Sequence, residues 1–474
     1  MLGRSLTAMT KYHLKQDIKL GSKLGICKRW ISSTLQRRFA ALWGNGDYGR
    51  LGLGSLESRW RPVVCSAFEK HSLKALACGG AHTLFLTETG CIYATGLNDF
   101  GQLGISENIG YSLEPLRISG LKKEVVQIST GYHHSSAITV DGELYMWGKN
   151  SNGQLGLGKK AAKVIPIPTK VECLSGIFTK QAALGFEHSV AVTGGGKVLS
   201  WGAGGSGRLG HGQESSILGF LRSTSEYTPR LIKELEGVKV KIAAAGFLHS
   251  ACIDENGRVY IFGDRAVDKM LFQEGNHARR PSLISKLPYS EEVVCGGYHT
   301  CVLTSGGELY TWGSNENGCL GIGSIDVLHS PERVQGPFSE SPVDQICTSI
   351  VLVCSTMMLT SLHESYTITL LNFTIQVSCG WKHTAAISEG KILTWGWGGS
   401  HGTFSEDGHS SGGQLGHGND VDYIHPTIVN FGENVKALQV SCGFNHTALA
   451  VTECAATLFA LELNISECYL VLMM

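Results

Sequence analysis

The stretch WGKNSNGQLGLG, from Trp147 to Gly158, is written again at Trp43 (WGNGDYGRLGLG), Trp201 (WGAGGSGRLGHG) and Trp312 (WGSNENGCLGIG). It returns at Thr95 as TGLNDFGQLG, without its tryptophan. Such self-similarity constrains a chain more than its length does. At 474 residues the chain would otherwise be divided into two or three domains, whereas repeated units can close into one. The motif itself reads as a turn, too glycine-rich for a helix interior and headed by one large aromatic.

A second motif alternates with the first. It reads CGGAHTLFLTETG at 78–90, TGYHHSSAITVDG at 130–142, LGFEHSVAVTGGG at 184–196 and AGFLHSACIDENG at 245–257. It continues as CGGYHTCVLTSGG at 295–307, CGWKHTAAISEG at 379–390 and CGFNHTALAVTE at 442–453. After each Gly-x-x-His, small and apolar residues alternate, which predicts a strand. The closing Asp-Gly, Glu-Asn-Gly or Gly-Gly predicts a hairpin turn. A short aromatic strand follows, as in GELYMWG and GELYTWG. The histidines fall at 82, 134, 188, 249, 299, 383 and 446, with gaps of 52, 54, 61, 50, 84 and 63. Seven strand-rich copies at a base period near 52 suit propeller blades of about four strands each.

The order of the motifs predicts closure. The first glycine loop, at Trp43, has no histidine hairpin before it, and the last hairpin, at His446, has no glycine loop after it. Joined, the two half-repeats make one blade, and a ring with a shared blade removes the open edges that a linear stack would expose. The expected fold class is therefore all-β, a seven-bladed β-propeller closed by N- and C-terminal strands.

Gly-x-x-His alternating with WGxNxxGQLG closely resembles the regulator of chromosome condensation repeat family over residues 39–453. The resemblance implies a seven-bladed propeller. The WD-repeat family fits poorly because the Trp-Asp pair is missing, and kelch repeats because here a histidine recurs in every copy. The run RRFAALWGNGDYGRLGLG after a basic start resembles plant organellar members.

That start, residues 1–38, holds nine Lys or Arg against the single acid Asp17, with hydroxyls interspersed. The composition is that of a transit peptide, and Arg37-Arg38-Phe39-Ala40 resembles a mitochondrial processing site. The expected destination is the mitochondrial matrix, with chloroplast or nucleus as alternatives. Removing the leader leaves 31 basic and 39 acidic residues, a formal charge of −8. An acidic body is a poor direct binder of nucleic acid. The 15 cysteines, an odd number in a long chain without a secretory h-region, are expected to be reduced and mostly buried.

The period exposes irregularities. Removing Ile346 to Gln376 shortens the 84-residue gap to 53 and restores a normal run-in, PVDQ-VSCGWKHT. The removed 346–376 segment has one acid, no Lys or Arg and no glycine or proline, a composition foreign to this chain and suggestive of a translated intron. The apolar tail 454–474 departs in the same way. Ser400 to Gly412 reads as an insertion in a glycine loop, a candidate binding loop at a blade rim. HGQESSILGFLRSTSEYTP is a similar expansion, and FGDRAVDKM at Phe262 replaces a tryptophan segment.

No catalytic, cofactor or metal residue is assigned. Cys-x-x-x-His recurs at Cys78/His82, Cys295/His299, Cys379/His383 and Cys442/His446, but one Cys and one His are too few for a closed zinc site. Equivalent positions are expected to stand apart around the ring. Thr130, Leu184 and Ala245 replace the cysteine as packing residues would. The histidines are expected to bond to neighbouring backbone. The glycine loops lack a P-loop lysine, and Trp43, Trp147, Trp201 and Trp312 read as blade packing.

With no enzyme or cofactor expected, the resemblance implies a mitochondrial interaction scaffold. It would support transcript processing, including intron splicing, and so respiratory complex I biogenesis. Its partners would be proteins such as organellar splicing factors, without stable membrane insertion. The family's founder implies an alternative, guanine-nucleotide exchange on a small GTPase. A UV-B photoreceptor ranks lower still. That relative repeats GWRHT and clusters tryptophans at a dimer face, and the single near-match here is Gly380 to Thr384.

Overall fold

Each Gly-x-x-His motif is the turn between the first and second strands of a blade. In the computed structural model the described residues are 38–68, 71–212, 225–264, 279–336, 376–399, 412–432 and 435–453. They form 28 strands in seven antiparallel sheets of four. The terminal blade opens with β1 (Arg38–Gly44) and β2 (Arg59–Val64). The next is β3 (Leu73–Cys78), β4 (His82–Thr87), β5 (Ile92–Leu97) and β6 (Tyr111–Arg117). The innermost strands of the following blades are β7 (Val125–Thr130), β11 (Thr179–Leu184), β15 (Val240–Ala245), β19 (Ser290–Cys295) and β23 (Gln376–Cys379).

β27 (Val435–Cys442) and β28 (His446–Glu453) complete the first sheet in the order β2-β1-β28-β27. The chain's two half-repeats therefore share a blade, as the motif order predicts. Innermost strands touch in sequence around the ring, and β27 packs on β3 to close it. Closure leaves no strand ladder open between first and last blades. The core is divided accordingly. Seven apolar clusters lie between neighbouring blades, such as Leu84, Ile92 and Leu103 with Val125, Ile128 and Trp147.

Two boundaries shift by one residue. Arg38 opens β1, so the sheet begins just before residue 39. Gln376 belongs to β23, and its Oε1 accepts from Val440 N at 2.9 Å. The rest of the leader, 346–375, the tail 454–474, 400–411, 213–224 and 265–278 lie outside the described residues.

Gln376 belongs to a second network, on the innermost strands. Gln181 accepts from Ala243 N at 2.9 Å and donates to Ala243 O at 3.1 Å, so one amide grips the next blade's backbone twice. Gln439 does the same to Leu76, at 3.0 and 3.4 Å. In β19 the position is Glu292, whose carboxylate accepts from Val377 N at 3.3 Å. Only a protonated Glu292 can also donate, as the glutamines do. Burial pushes its carboxyl up to about 7 from 4.5. A raised carboxyl pKa makes the folded state lose stability as pH rises from 4.5 through 7. Glu292→Gln should therefore raise the melting temperature, and raise it more at pH 8 than at pH 6.5. Equal melting temperatures at both pH values would show that the acid behaves as an ordinary surface carboxylate.

Candidate interaction face

The seven histidines form a closed belt, each reaching into the next blade. His82 Nε2 lies 2.9 Å from Ser135 Oγ, His134 3.2 Å from Ser189 Oγ and His188 2.8 Å from Ser250 Oγ. His249 meets Thr300 Oγ1 at 3.0 Å, His299 meets Thr384 at 2.9 Å and His383 meets Thr447 at 3.0 Å. His446 closes the circle on Thr83 at 2.9 Å. The partner is thus a hydroxyl side chain of the neighbouring blade, where neighbouring backbone was expected. The reason is geometric: each hydroxyl follows a histidine of its own strand, and strand alternation turns it back towards the previous blade.

The hydroxyl hydrogens fix the tautomer. Ser135 donates to Gln102 O at 2.9 Å, Ser189 to Gln154 O at 2.8 Å, and Thr447 to Gln414 O at 2.9 Å. Thr83, Ser250 and Thr384 donate likewise to Arg50, Arg208 and Cys319 carbonyls. A hydroxyl whose one hydrogen is committed must accept from the imidazole, so these histidines carry Nε2–H and leave Nδ1 bare. Burial holds His82, His134, His249 and His383 near 3, far below 6.5, and holds His188 and His446 well below it. A neutral ring with one fixed hydrogen bond is a structural part and no proton shuttle.

The glycine loop enters the same joint. Trp43, Trp147, Trp201 and Trp395 donate Nε1–H to carbonyls of Gln414, Gln102, Gln154 and Cys319 at 2.8–2.9 Å. Trp43, Trp147 and Trp201 are fully buried, and Trp312 nearly so, as blade packing requires. Phe262 fills the tryptophan slot of its degenerate blade. No disulfide joins the cysteines among the described residues.

At one end of the ring axis the turns gather a different set of side chains. The residue after each motif glycine lines the channel mouth: Gly80, Tyr132, Phe186, Phe247, Gly297, Trp381 and Phe444. The five aromatics are half-buried and continuous. Phe186 stacks on Phe247 at 3.8 Å, Tyr132 meets Phe186 at 4.5 Å and Phe444 at 5.1 Å, and Trp381 stacks on Phe444 at 4.3 Å. Trp397 meets Trp381 edge-on at 5.8 Å. Two ion pairs flank this rim, Lys149–Glu187 at 3.0 Å and Lys382–Glu316 at 3.7 Å. Beside this rim Tyr298, Ser314, Asn317, Trp381 and Lys382 line a cavity of about 150 Å³. The Trp381 Nε1–H is buried there with no partner among the described residues.

Reading the sequence for a repeated GWRHT misses this cluster, because Phe and Tyr supply most of it. The signal was the aromatic in GYHH, GFEH, GFLH, GWKH and GFNH. Half-buried aromatics flanked by ion pairs are the anatomy of a protein-binding surface.

Residues 40–449 match the model of the RCC1-like domain. The chain belongs to the RCC1-like domain family. Among similar proteins is the ultraviolet-B receptor UVR8 of Arabidopsis thaliana, 31% identical over 392 residues, covering 82% of this chain and 76% of that one. The mitochondrial RCC1 domain-containing protein RUG3 of the same plant is 32% identical over 302 residues, covering 62% of this chain and 65% of RUG3. The probable E3 ubiquitin-protein ligase HERC4 of Rattus norvegicus is 30% identical over 350 residues, and the chain spans 32% of its length. The RCC1 structure of yeast, Prp20 bound to Kap60, superposes with a TM-score of 0.70 at 20% identity, covering 90% and 91% of the two chains, and shares the fold. No helix among the described residues is long and apolar enough to cross a membrane.

Proposed function

We propose that this RCC1-like propeller is a non-enzymatic interaction scaffold of the mitochondrial matrix. It supports maturation of mitochondrial transcripts, including intron splicing, and so the building of respiratory complex I. The observation that carries the reading is the aromatic cluster Tyr132, Phe186, Phe247, Trp381 and Phe444, open at one end of the axis and joined to no nucleophile–base pair among the described residues. The basic, hydroxylated start of the chain and the similarity to mitochondrial RUG3 support the compartment. The net acidic body favours protein partners over RNA.

The test is a knockout scored by intron-spanning transcript assays, rescued with the wild-type chain or with Phe186→Ser/Phe247→Ser. Expected is an intron-specific splicing defect that the wild type restores and the double variant does not. Normal splicing of every mitochondrial intron in the knockout overturns the reading. Exchange activity, suggested by likeness to RCC1 proteins, is tested directly by nucleotide release from candidate GTPases. UV-B sensing by analogy with UVR8 is disfavoured because Trp381 and Trp397 are the indoles of the described mouth. It predicts UV-induced dissociation of a dimer, and none is expected.

A further inference from the structure

One joint of the belt carries two thiols. Cys301 follows His299 by two residues on β20 (His299–Thr304) and is fully buried. Cys379 closes β23 in the next blade. Their sulfurs are 3.4 Å apart. Ligand atoms of His299, Cys301 and Cys379 all lie within 4.8 Å of one another. Cys379 is four residues before His383 in its own motif, yet the imidazole it meets is His299 of the preceding blade. The two thiols occupy non-equivalent positions of neighbouring blades.

The belt sets the nitrogen. His299 Nε2 faces Thr384 Oγ1 at 2.9 Å, and Thr384 donates its own hydrogen to Cys319 O at 2.8 Å. The imidazole must therefore carry Nε2–H, leaving the lone pair on Nδ1. A second ring hydrogen bond that fixes tautomer and orientation is the usual support of a metal-bound histidine. At five other joints the equivalent Nδ1 is buried with no partner among the described residues: His82, His134, His188, His383 and His446. At this joint two thiols lie near the imidazole, the ligand atoms of the three residues standing within 4.8 Å of one another.

We propose that His299 Nδ1, Cys301 Sγ and Cys379 Sγ form a zinc site that staples two adjacent blades. Charge selects the ion. Two thiolates and Zn²⁺ give a neutral complex, whereas Cu⁺ on the same ligands leaves a buried negative charge. Zn²⁺ displaces one proton from each thiol, and both protons leave to solvent, so binding strengthens as pH rises. Cys379 lines the axial channel and His299 lines the cavity beside Trp381, which provide an entry path and a water for the fourth position.

The test uses the full chain, reduced and stripped of metal, then titrated anaerobically with Co²⁺ and back-titrated with Zn²⁺. Expected is one equivalent of Co²⁺ with thiolate-to-metal charge-transfer and tetrahedral d–d bands, abolished by Zn²⁺. Cys301→Ala and Cys379→Thr should each weaken binding at least about tenfold. The repeats themselves place Ala385 and Ala448 at the first position and Thr130 at the second, so both variants are expected to fold, with circular dichroism as the check. Cys442→Thr, a channel thiol outside the triad, should bind as the wild type does. Absence of tetrahedral Co²⁺ bands overturns the proposal. So does their persistence in both triad variants, or equal loss in Cys442→Thr.

Discussion

Lowering the pH from 7 to 5 should unfold the propeller cooperatively, above the range where ordinary carboxylates protonate. Six belt histidines drive this. In the unfolded chain each titrates near 6.5, whereas burial in the folded ring holds His82, His134, His249 and His383 near 3 and His188 and His446 well below 6.5. A depressed folded pKa makes stability complete above 6.5 and removes it as pH falls towards 3. Below 6.5 each histidine costs about 1.4 kcal/mol per pH unit. Six together approach about 8 kcal/mol per unit, against a total stability of roughly 5–15 kcal/mol. The transition should centre between about pH 6 and 5. Far-UV circular dichroism and tryptophan fluorescence against pH would follow it, and a fold intact down to pH 4 would contradict the neutral belt.

The second large effect is expected from a single methyl group. Gly131 sits where a Cβ would overlap the His134 ring and the Gly185 carbonyl of the next blade. Its φ is not in the left-handed region, so the requirement is for space alone. Neither obstacle can move without opening the joint, because the ring is held by Ser189 and the carbonyl accepts from Tyr132 N. Gly131→Ala should destabilise by about 3 kcal/mol or yield insoluble chain. Gly110→Ala is the control. A Cβ there meets nothing within 4 Å, and the change should stay within about 0.5 kcal/mol. Equal denaturation midpoints for the two variants would refute the account of the joint.

The repeat made the architecture legible. Two unmatched half-motifs at Trp43 and His446 were enough to join the chain ends in one blade, where β1 neighbours β28. What the histidines touch was less legible. Each partner lies in another copy of the repeat, as with His299 and Thr384, which are 85 residues apart. Yet a clue stood in the sequence: every motif histidine, from His82-Thr83 to His446-Thr447, is followed by Ser or Thr. The thiol pair had no such signal. Cys301 and Cys379 are 78 residues apart and occupy different repeat positions, so only packing of adjacent blades reveals them. The aromatic mouth was visible as a letter pattern but not as a surface, because which face a turn residue joins depends on ring curvature.

The belt is the claim from which the rest follows: a motif committed to joining blades leaves function to the faces that it holds. Imidazole ¹⁵N shifts of the histidine-labelled chain at pH 7 test it most directly. The account predicts that the belt histidines are neutral with the proton on Nε2, and that each Nε2–H couples to a Ser or Thr hydroxyl. Belt imidazoles that are charged, that carry the proton on Nδ1, or that exchange freely between tautomers would contradict it.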